Sequence, residues 1–473
     1  MPTGDLDANA AYDFSGDTYD YFLNQHGRDS YNDAGAVLRS TVDFCPAIFD
    51  CPYVNAFWNG TQMVYGAGFS RADDVDAHEL THAVTEYTAD LLYFMQSGAL
   101  NESFSDIFGE TIDLSNSGGT DTLAVRWQMG EDLPGIGALR NMLNPNAFND
   151  PAKVSDTRFV CSFSDNGGVH SNSGVPNHAY ALMVDGGSYN GQTVNGIGLD
   201  KAAAVHYRVL NHYLSSGSNF LDYYDAVQQA CQDLIGTQGI TTANCGEVKK
   251  ALDAVELSTS PCGQPQEPDL CPVGQNPITL FFDDLENTSS RQWVLNNIGG
   301  GVAHWTYASG FARSGQLSLW GHDDDAVGDS AIEMTSDIII PVAGGRMQFN
   351  HYIGFEAGYD GGVIEYSTNS GASWNDAGGL ITAGLDYSDT LSTTDSNPLA
   401  GRLAFSQLTT NGYNASQLDL TSLAGQSVRF RFRVGTDPAV GADGWFIDDV
   451  RIYQCQGVNS EALLIDYFEN AKP

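Results

Sequence analysis

The spacing of hydrophobic residues differs between two parts of this chain, and the change falls near residue 260. Before it, apolar residues recur mostly at the spacing of α-helices, in a region that begins as mixed α and β. After it, short segments alternate apolar and polar residues and are separated by turn residues. The first part is therefore predicted to be an α+β domain with a mainly helical C-terminal lobe, and the second part an all-β antiparallel sandwich.

The segments that carry these patterns suggest the domain boundaries. Helices are predicted over residues 19–26, 74–92, 101–114, 176–184 and 201–255. Strands are predicted over residues 278–282, 346–352, 362–368 and 428–434. Residues 258–274 contain four prolines and few apolar residues, which predicts an extended linker. The expected order is a first domain over residues 1–257, the linker 258–274, a β domain over 275–457 and a tail over 458–473.

Composition and charge narrow the possible functions. No apolar run approaches the ~18 residues that a membrane span needs, and the first residues do not have the pattern of a signal peptide. The chain has 59 acidic and 20 basic residues, a formal net charge of −39, which disfavours nucleic-acid and anionic-membrane partners. The acidic surplus also supplies oxygen ligands for calcium, although solubility in salt explains it equally well.

The eight cysteines favour disulfides in a compartment outside the cytoplasm, because they occur as local pairs and not as CxxC motifs. Cys45 and Cys51 can bridge a small loop, and Cys231 and Cys245 flank a turn between helical patterns. Cys271 and Cys455 bracket the β domain. Cys161 and Cys262 remain and can pair with each other, but the sequence does not fix the connectivity.

The strongest local motif is HExxH at residues 78–82. Residues four apart lie on one face of a helix, so His78 and His82 can bind one metal ion while Glu79 sits beside them. A catalytic zinc takes a third protein ligand, for which Glu102 is the candidate. Asp106 lies four residues after Glu102 and can accept the second N–H of one histidine, and Asn101 can do the same for the other.

With these motifs, residues 74–110 resemble the thermolysin-like family of zinc endopeptidases. The resemblance implies a zincin catalytic domain in which His78, His82 and Glu102 are the zinc ligands and Glu79 is the general base. A structural metal or buried histidines are the alternative reading, but Glu79 has no use in a structural site.

Further segments fit the same family. His170, oriented by Asp165, resembles the histidine that stabilises the tetrahedral intermediate, and Tyr93 resembles the tyrosine that donates to the same oxygen. Asn55 and Ala56 resemble the edge strand that pairs with the substrate backbone.

The resemblance also implies the substrate contacts. Arg140 matches the arginine that holds a substrate carbonyl. The positions of the pocket for the residue after the cut are apolar here: Val75, Met129, Leu133 and Leu139. Cleavage is therefore expected on the amino side of Leu, Phe, Ile or Val, by metal-assisted attack of water without a covalent intermediate.

The family also implies structural calcium, with Asp74, Asp113 and Glu131 at the matching acidic positions. Arg126 and Gln128 stand where relatives with a paired calcium site have acidic residues, so a single ion is expected. The N-terminal β lobe is expected to be shortened, because relatives have several dozen residues ahead of the part that begins near Asp5. No inhibitory propeptide is expected, as in a mature form.

The β domain resembles the jelly-roll-like accessory modules of secreted bacterial peptidases, including those called immune-inhibitor-A-like or MAM-like. Seven of its aspartates either hold calcium or form solvated turns. They are Asp283, Asp284, Asp323, Asp324, Asp325, Asp448 and Asp449. Four tryptophans either form a sugar-binding face or belong to the core, and the core is favoured. They are Trp305, Trp320, Trp374 and Trp445.

The sequence thus predicts a secreted, extracellular zinc endopeptidase that acts on proteins or peptides. The β domain is a candidate for binding polysaccharide or a cell surface, or serves only to stabilise the protein. The alternative is an adhesion or polymer-binding protein whose protease domain is inactive or truncated. The intact ligand set and the intact base favour the enzyme.

Overall fold

The protein divides into two compact units, Met1–Gly263 and Gln264–Pro473. The computed structural model describes residues 3–46, 51–116, 118–120, 122–299, 305–408 and 412–457, so the predicted tail 458–473 lies outside the described residues. Each unit has its own hydrophobic core. No helix in the described part of the chain has the length and apolar character that a membrane span requires.

The first unit is mainly helical, and the helices named here come from its described residues. They are α1 Leu6–His26, α2 Asp73–Glu86, α3 Met95–Asn116, α4 Asp165–Asn172, α5 Gly174–Asp185, α6 Leu199–His212, α7 Phe220–Asp233 and α8 Thr242–Ala254. Its strands are β1 Ser40–Thr41, β2 Ala56–Trp58, β3 Met63–Tyr65, β4 Gln128–Met129, β5 Arg140–Asn141, β6 Gly186–Tyr189 and β7 Gln192–Asn195. In the largest sheet β3 is central, parallel to β1 and antiparallel to β2.

Helix α3 forms the centre of this unit. Every residue from Met95 to Asp113 is buried. A helix that is apolar on all sides belongs in a core, yet α3 also carries Glu102, Asp106 and Glu110. Because burying an unpaired charge is costly, these carboxylates need partners, either protein side chains or bound cations.

The predicted helices occur, but the helix predicted over 19–26 begins already at Leu6 and the others differ at their ends. The helix predicted to reach residue 92 ends at Glu86, since the carbonyl of Thr85 accepts hydrogen bonds from the backbone of Thr88 and Asp90 and turns the chain. No glycine or proline marks this turn. The predicted run over 201–255 consists of α6, α7 and α8, and Asn219 and Thr241 form capping boxes at the starts of the last two.

The second unit is an all-β sandwich with antiparallel pairing, which confirms the predicted fold class. Its strands are β8 Gln275–Asp283, β9 Trp293–Asn297, β10 Trp305–Ser309, β11 Leu317–Gly321, β12 Gly328–Met334, β13 Ile338–Ile339, β14 Arg346–Gly354, β15 Gly361–Ser367, β16 Asn375–Asp376, β17 Ile381–Gly384, β18 Asp389–Thr390, β19 Leu403–Ala404, β20 Asn414–Asp419, β21 Ser427–Thr436 and β22 Gly444–Gly457. One sheet has the order β10-β11-β22-β14-β20-β17, with β8 also paired to β22. The other has the order β16-β15-β21-β12-β9, with β13 also paired to β21.

Strand β21 shows how the alternating pattern builds the sandwich. Phe430 and Phe432 are fully buried in the core between the sheets. Arg431 and Arg433 point to the opposite face, as the period of two requires, and form ion pairs with acidic residues of neighbouring strands. The tryptophans divide between two environments: Trp305 and Trp445 are core residues, whereas Trp320 and Trp374 are half-buried.

Residues 265–270, within the predicted linker, lie against the sandwich. Side chains of β14, β20 and β22 hydrogen-bond this segment, mostly through its backbone carbonyls. The pairs are Gln348 to Pro268, Asn350 to the Glu267 side chain, Asn414 to Pro265, Gln417 to Asp269 and Tyr453 to Leu270. The Cys271–Cys455 disulfide fastens the same region to β22.

The predicted local disulfides are confirmed, as is the clasp across the β domain. The structure also pairs Cys161 with Cys262, the pairing that the sequence leaves undetermined. No cysteine of the described residues is free.

Candidate active site

Helices α2 and α3 bring two imidazoles and one carboxylate to a single point. The Nε2 atoms of His78 and His82 lie 3.0 Å apart. The carboxylate of Glu102 approaches them at 3.6 Å and 3.5 Å respectively. These three side chains have ligand atoms that all lie within 4.8 Å of one another. One turn of α2 separates the histidines, so their common direction follows from helical periodicity.

The hydrogen bonds of the two histidines leave both Nε2 lone pairs free for a metal. His78 donates from Nδ1 to Asp106 (2.9 Å), and His82 donates from Nδ1 to Asn101 (2.7 Å). In the neutral ring the other nitrogen then carries a lone pair. Two lone pairs 3.0 Å apart repel, and the buried Oε2 of Glu102 has no hydrogen-bond partner. Two imidazoles and one carboxylate form a donor set that fits zinc and leaves a coordination position open.

Asp106 is held in place by two further side chains. Arg140 donates to both of its oxygens, at 2.8 Å and 2.5 Å, and Asn177 donates to Oδ2 at 2.7 Å. Burial acts to raise the pKa of Asp106, but Arg140 and His78 outweigh it and keep the pKa well below the usual range. The carboxylate therefore remains charged and fixes the ring of His78.

Glu79 lies in a cleft of about 450 Å³ that also contains the zinc-ligand candidates. Its side chain is nearly buried. Burial raises the pKa of Glu79 to about 7; the nearby charge of Glu102 adds to the rise, and that of His78 opposes it. A carboxylate with a pKa near neutrality accepts a proton more readily than an ordinary one, which suits a general base.

His170 and Tyr93 meet on the other side of the Glu102 carboxylate. His170 Nδ1 donates to Asp165 (2.7 Å), and its Nε2 lies 2.9 Å from the hydroxyl of Tyr93. The hydroxyl of Tyr93 also donates to the carboxylate of Glu102. His170 therefore lies between Asp165, which fixes the orientation of its ring, and the hydroxyl of Tyr93. Its side chain is 52% exposed, so a substrate can reach it.

A left-handed turn at the start of α4 aims His170 into the cleft. Residues 165–168 all have positive φ, of 55°, 50°, 89° and 79°. A Cβ on Gly167 would lie 2.9 Å from the Cα of Met95, and one on Gly168 would lie 2.5 Å from the Cβ of Val160. Only glycine satisfies both the backbone angle and the close packing here.

The predicted substrate-binding residues lie along the same cleft, with one exception. Asn55 and Ala56 line it at strand β2, which is an edge strand of its sheet. The other lining residues of this set are Val75, Met129, Leu139 and Arg140. Leu133 is not among the lining residues and belongs to a buried core cluster that also contains Val75. The roles of these residues remain predictions.

The predicted calcium residues belong to a larger acidic cluster at the far end of α3. Asp74, Asp113 and Glu131 are joined by two carboxylates that sequence reasoning did not identify, Asp73 and Glu110. Burial, followed by mutual repulsion, raises the pKa of Asp113 to about 11 and that of Glu131 to about 8. The buried oxygens without hydrogen-bond partners are Glu110 Oε2, Asp113 Oδ1 and Glu131 Oε2.

No ion pair with a described lysine or arginine reaches this cluster. Arg126, the residue that departs from the paired calcium pattern, is held by Asp185 at 2.8 Å. Oxygen-only ligands with several negative charges are the donor set that calcium prefers, so the cluster fits that ion.

Asn177 and Ser105 are two further residues of the site that the sequence analysis did not predict. Asn177 holds Asp106, and the Ser105 hydroxyl lies 3.1 Å from His82 Nδ1. Ser105 follows Glu102 by three residues, so helical spacing could have suggested it. Asn177 comes from α5, and no local pattern links it to α3.

Two family models match the first unit. Residues 4–86 match the catalytic domain of thermolysin metallopeptidases, and residues 89–257 match their alpha-helical domain. Together these segments cover more than half of the chain, which belongs through them to the thermolysin metallopeptidase family.

Curated proteins with similar sequences agree with this assignment. The thermostable neutral protease NprT of Geobacillus stearothermophilus is 43% identical over 271 residues, which are 53% of this chain and 47% of the relative. A bacillolysin of Brevibacillus brevis is 46% identical over 249 residues, 50% of this chain and 44% of that protein. The chain thus spans slightly less than half the length of these curated relatives. Among solved structures, the precursor of protealysin from Serratia proteamaculans matches with 31% identity and a TM-score of 0.44, over 54% of this chain and 80% of that one.

Proposed function

We propose that this protein is a secreted zinc endopeptidase that hydrolyses peptide bonds on the amino side of hydrophobic residues. The observation that carries the proposal is the convergence of His78, His82 and Glu102 beside the buried base Glu79, in an open cleft. Glu79 contributes no ligand atom to the three-residue group, so a role in proton transfer is the natural use of a buried carboxylate at this place.

In the proposed reaction, His78, His82 and Glu102 hold the zinc ion. When bound, zinc supplies a Lewis acid that polarises the peptide carbonyl and makes water more acidic. Glu79 accepts a proton from the attacking water and passes it to the leaving amine. Cleavage of the C–N bond needs this proton, because an amine that leaves as an unprotonated anion is a poor leaving group.

His170 and Tyr93 stabilise the negative charge that develops on the carbonyl oxygen. Both side chains carry groups that can donate a hydrogen bond on the same side of the cleft, and Asp165 holds the ring of His170 in place. Donors fixed before the reaction stabilise the transition state without reorganisation.

The substrate is proposed to bind as an added strand. Among the described residues, no strand pairs with one edge of β2, and Asn55 and Ala56 border the cleft there. Val75, Met129 and Leu139 form an apolar wall that favours a Leu, Phe, Ile or Val side chain after the cut. Arg140 stands in this wall, where it is proposed to hold a substrate carbonyl while it keeps its pairing with Asp106.

The test is digestion of a blocked peptide library by the purified chain, before and after 1,10-phenanthroline and after zinc is restored. We expect cleavage before hydrophobic residues that disappears with the chelator and returns with zinc. No cleavage by a chain that holds one zinc ion would contradict the enzymatic function and favour the binding role of the β domain.

We also propose that the acidic cluster of Asp73, Asp74, Glu110, Asp113 and Glu131 binds structural calcium. In its absence the raised pKa values of Asp74 and Glu131, about 7 and about 8, make stability depend on pH. A carboxyl group whose pKa is raised on folding stabilises the protein below its unfolded pKa of about 4. That contribution is lost as the pH rises through the folded value.

We therefore expect the calcium-free protein, kept in zinc, to unfold at a lower temperature at pH 8 than at pH 5. Added calcium should raise the pH 8 unfolding temperature by at least about 4 °C, which corresponds to roughly 1–2 kcal/mol. Differential scanning calorimetry measures both. A calcium-free protein with equal stability at the two pH values would contradict the site.

The β-sandwich is proposed to bind polysaccharide or a cell surface. In support, Trp320 stacks on His322 with 3.7 Å between ring centroids and on Phe446 with 5.4 Å, and all three side chains are half-buried. Stacked aromatic rings that reach the surface are suited to contact with a sugar ring. The four disulfides support secretion, because such bonds persist outside the cytoplasm.

A further inference from the structure

A second group of carboxylates lies at neighbouring strand ends of the β-sandwich, far along the chain from the acidic cluster of the helical unit. Asp323 follows β11, Glu356 follows β14, Asp360 precedes β15 and Asp437 follows β21. Ligand atoms of Glu356, Asp360 and Asp437 all lie within 4.8 Å of one another. The carboxylate of Asp323 adjoins that of Asp360. Residues spread over more than one hundred positions of the chain thus deliver four carboxylates to one place.

Three of the four side chains are almost completely removed from solvent. Asp360, Asp437 and Asp323 are 0%, 2% and 6% exposed. Both side-chain oxygens of Asp323 and the Oδ2 atom of Asp360 are buried without a hydrogen-bond partner. The backbone N–H groups of Glu356 and Ala442 lie close enough to lower the pKa of Asp323, but neither completes a hydrogen bond to it. Buried carboxylate oxygens without partners are costly unless a cation satisfies them.

The charge of this group is not balanced by protein cations. Elsewhere in the sandwich buried carboxylates have arginine partners: Asp329 pairs with Arg433 at 2.8 Å, and Glu365 with Arg431 at 2.6 Å. No ion pair among the described residues reaches the four-carboxylate group. Burial, with the nearby charge of Asp360, raises the pKa of Asp323 to about 8.

The surrounding loops hold the carboxylates in fixed positions. The carbonyl of Glu356 accepts the N–H groups of Tyr359 and Asp360, both at 3.0 Å, which closes the turn between them. Asp360 Oδ1 accepts the backbone N–H of Asp437 at 2.5 Å. Ser406 donates to the carbonyl of Asp360 at 2.6 Å. One oxygen of Asp360 is thus used to fix the loop, while the other remains free to bind an ion.

We propose that Asp323, Glu356, Asp360 and Asp437 bind a structural calcium ion in the β-sandwich. The donor set contains only oxygen atoms. Zinc usually takes nitrogen or sulfur ligands, so this set favours calcium over zinc. Calcium takes six to eight oxygens at about 2.3–2.6 Å, so carboxylates within 4.8 Å of one another can share one ion. The ion joins the loops after β11, β14 and β21 and so fixes this part of the sandwich.

The test counts calcium ions on the full chain. The protein is stripped of calcium, supplied with zinc and dialysed against calcium chloride. We expect Asp360→Asn to bind one calcium ion fewer than the wild-type chain. The matched control, Asp337→Asn, changes a carboxylate of the same domain that is paired with Arg429. It should bind as many ions as the wild-type chain. Equal counts for Asp360→Asn and wild type would overturn the proposal.

A stability measurement keeps the test decisive if Asp360→Asn folds poorly. Glu356 is half-buried, so Glu356→Gln should fold, and it should weaken calcium binding at this site at least about tenfold, as loss of one charged ligand predicts. In the wild-type chain calcium should raise the unfolding temperature of the β-sandwich, and in Glu356→Gln that rise should occur only at higher calcium concentrations. An identical calcium dependence in both proteins would refute the site.

Discussion

Replacing Glu79 by glutamine is expected to lower kcat/KM for a hydrophobic peptide by about 10²–10⁴-fold, the usual contribution of a general base. Glutamine has nearly the same shape as glutamate but cannot accept a proton from water at neutral pH. Glu79 is also outside the group of His78, His82 and Glu102. The variant should therefore bind one zinc ion per chain and keep its fold, because an uncharged amide is no harder to bury than a carboxylate with a pKa of about 7.

The measurements are hydrolysis of a quenched fluorescent peptide and zinc content by mass spectrometry. Glu86→Gln is the matched control, since Glu86 lies two turns further along α2 and accepts a hydrogen bond from the Trp58 indole at 2.6 Å. It should change kcat/KM by only a few fold. Full activity in Glu79→Gln with zinc retained would show that the proposed mechanism is wrong.

Replacing His170 by alanine is expected to lower kcat by about 10²–10³-fold, the cost of losing one donor to a developing oxyanion. KM should change much less, because the interaction strengthens only in the transition state. His170 is half exposed at the rim of the cleft and is not a member of the three-residue ligand group. Zinc content and thermal stability should therefore stay close to those of the wild-type chain.

His212→Ala provides the matched control for this substitution. His212 is an exposed histidine at the end of α6, in the same unit but outside the residues that line the cleft. Its kinetics should equal those of the wild-type chain. If His170→Ala instead raised KM and left kcat unchanged, His170 would be a residue of substrate binding and not of transition-state stabilisation.

The sequence alone predicted the two fold classes and the three side chains of the proposed zinc site. Period and spacing are local properties: four residues on a helix place His78 beside His82, and the alternation in residues 428–434 predicts a strand with one buried face. The glycines at positions 167 and 168 are also a local signal, because glycine adopts a positive φ without a steric penalty.

Only the tertiary structure decided which groups meet across the fold. Asn177 reaches Asp106 from another helix, and Leu133 is buried in a core cluster instead of lining the cleft. The calcium site proposed at Asp323 and Asp360 arises in the same way. Its residues lie at strand ends of both sheets, and their oxygens converge only because the two sheets pack against each other. Local periodicity in the sequence predicts which face of a helix or strand a side chain occupies. Whether a buried charge finds a partner depends on residues that are distant in the chain, so only the tertiary structure shows it.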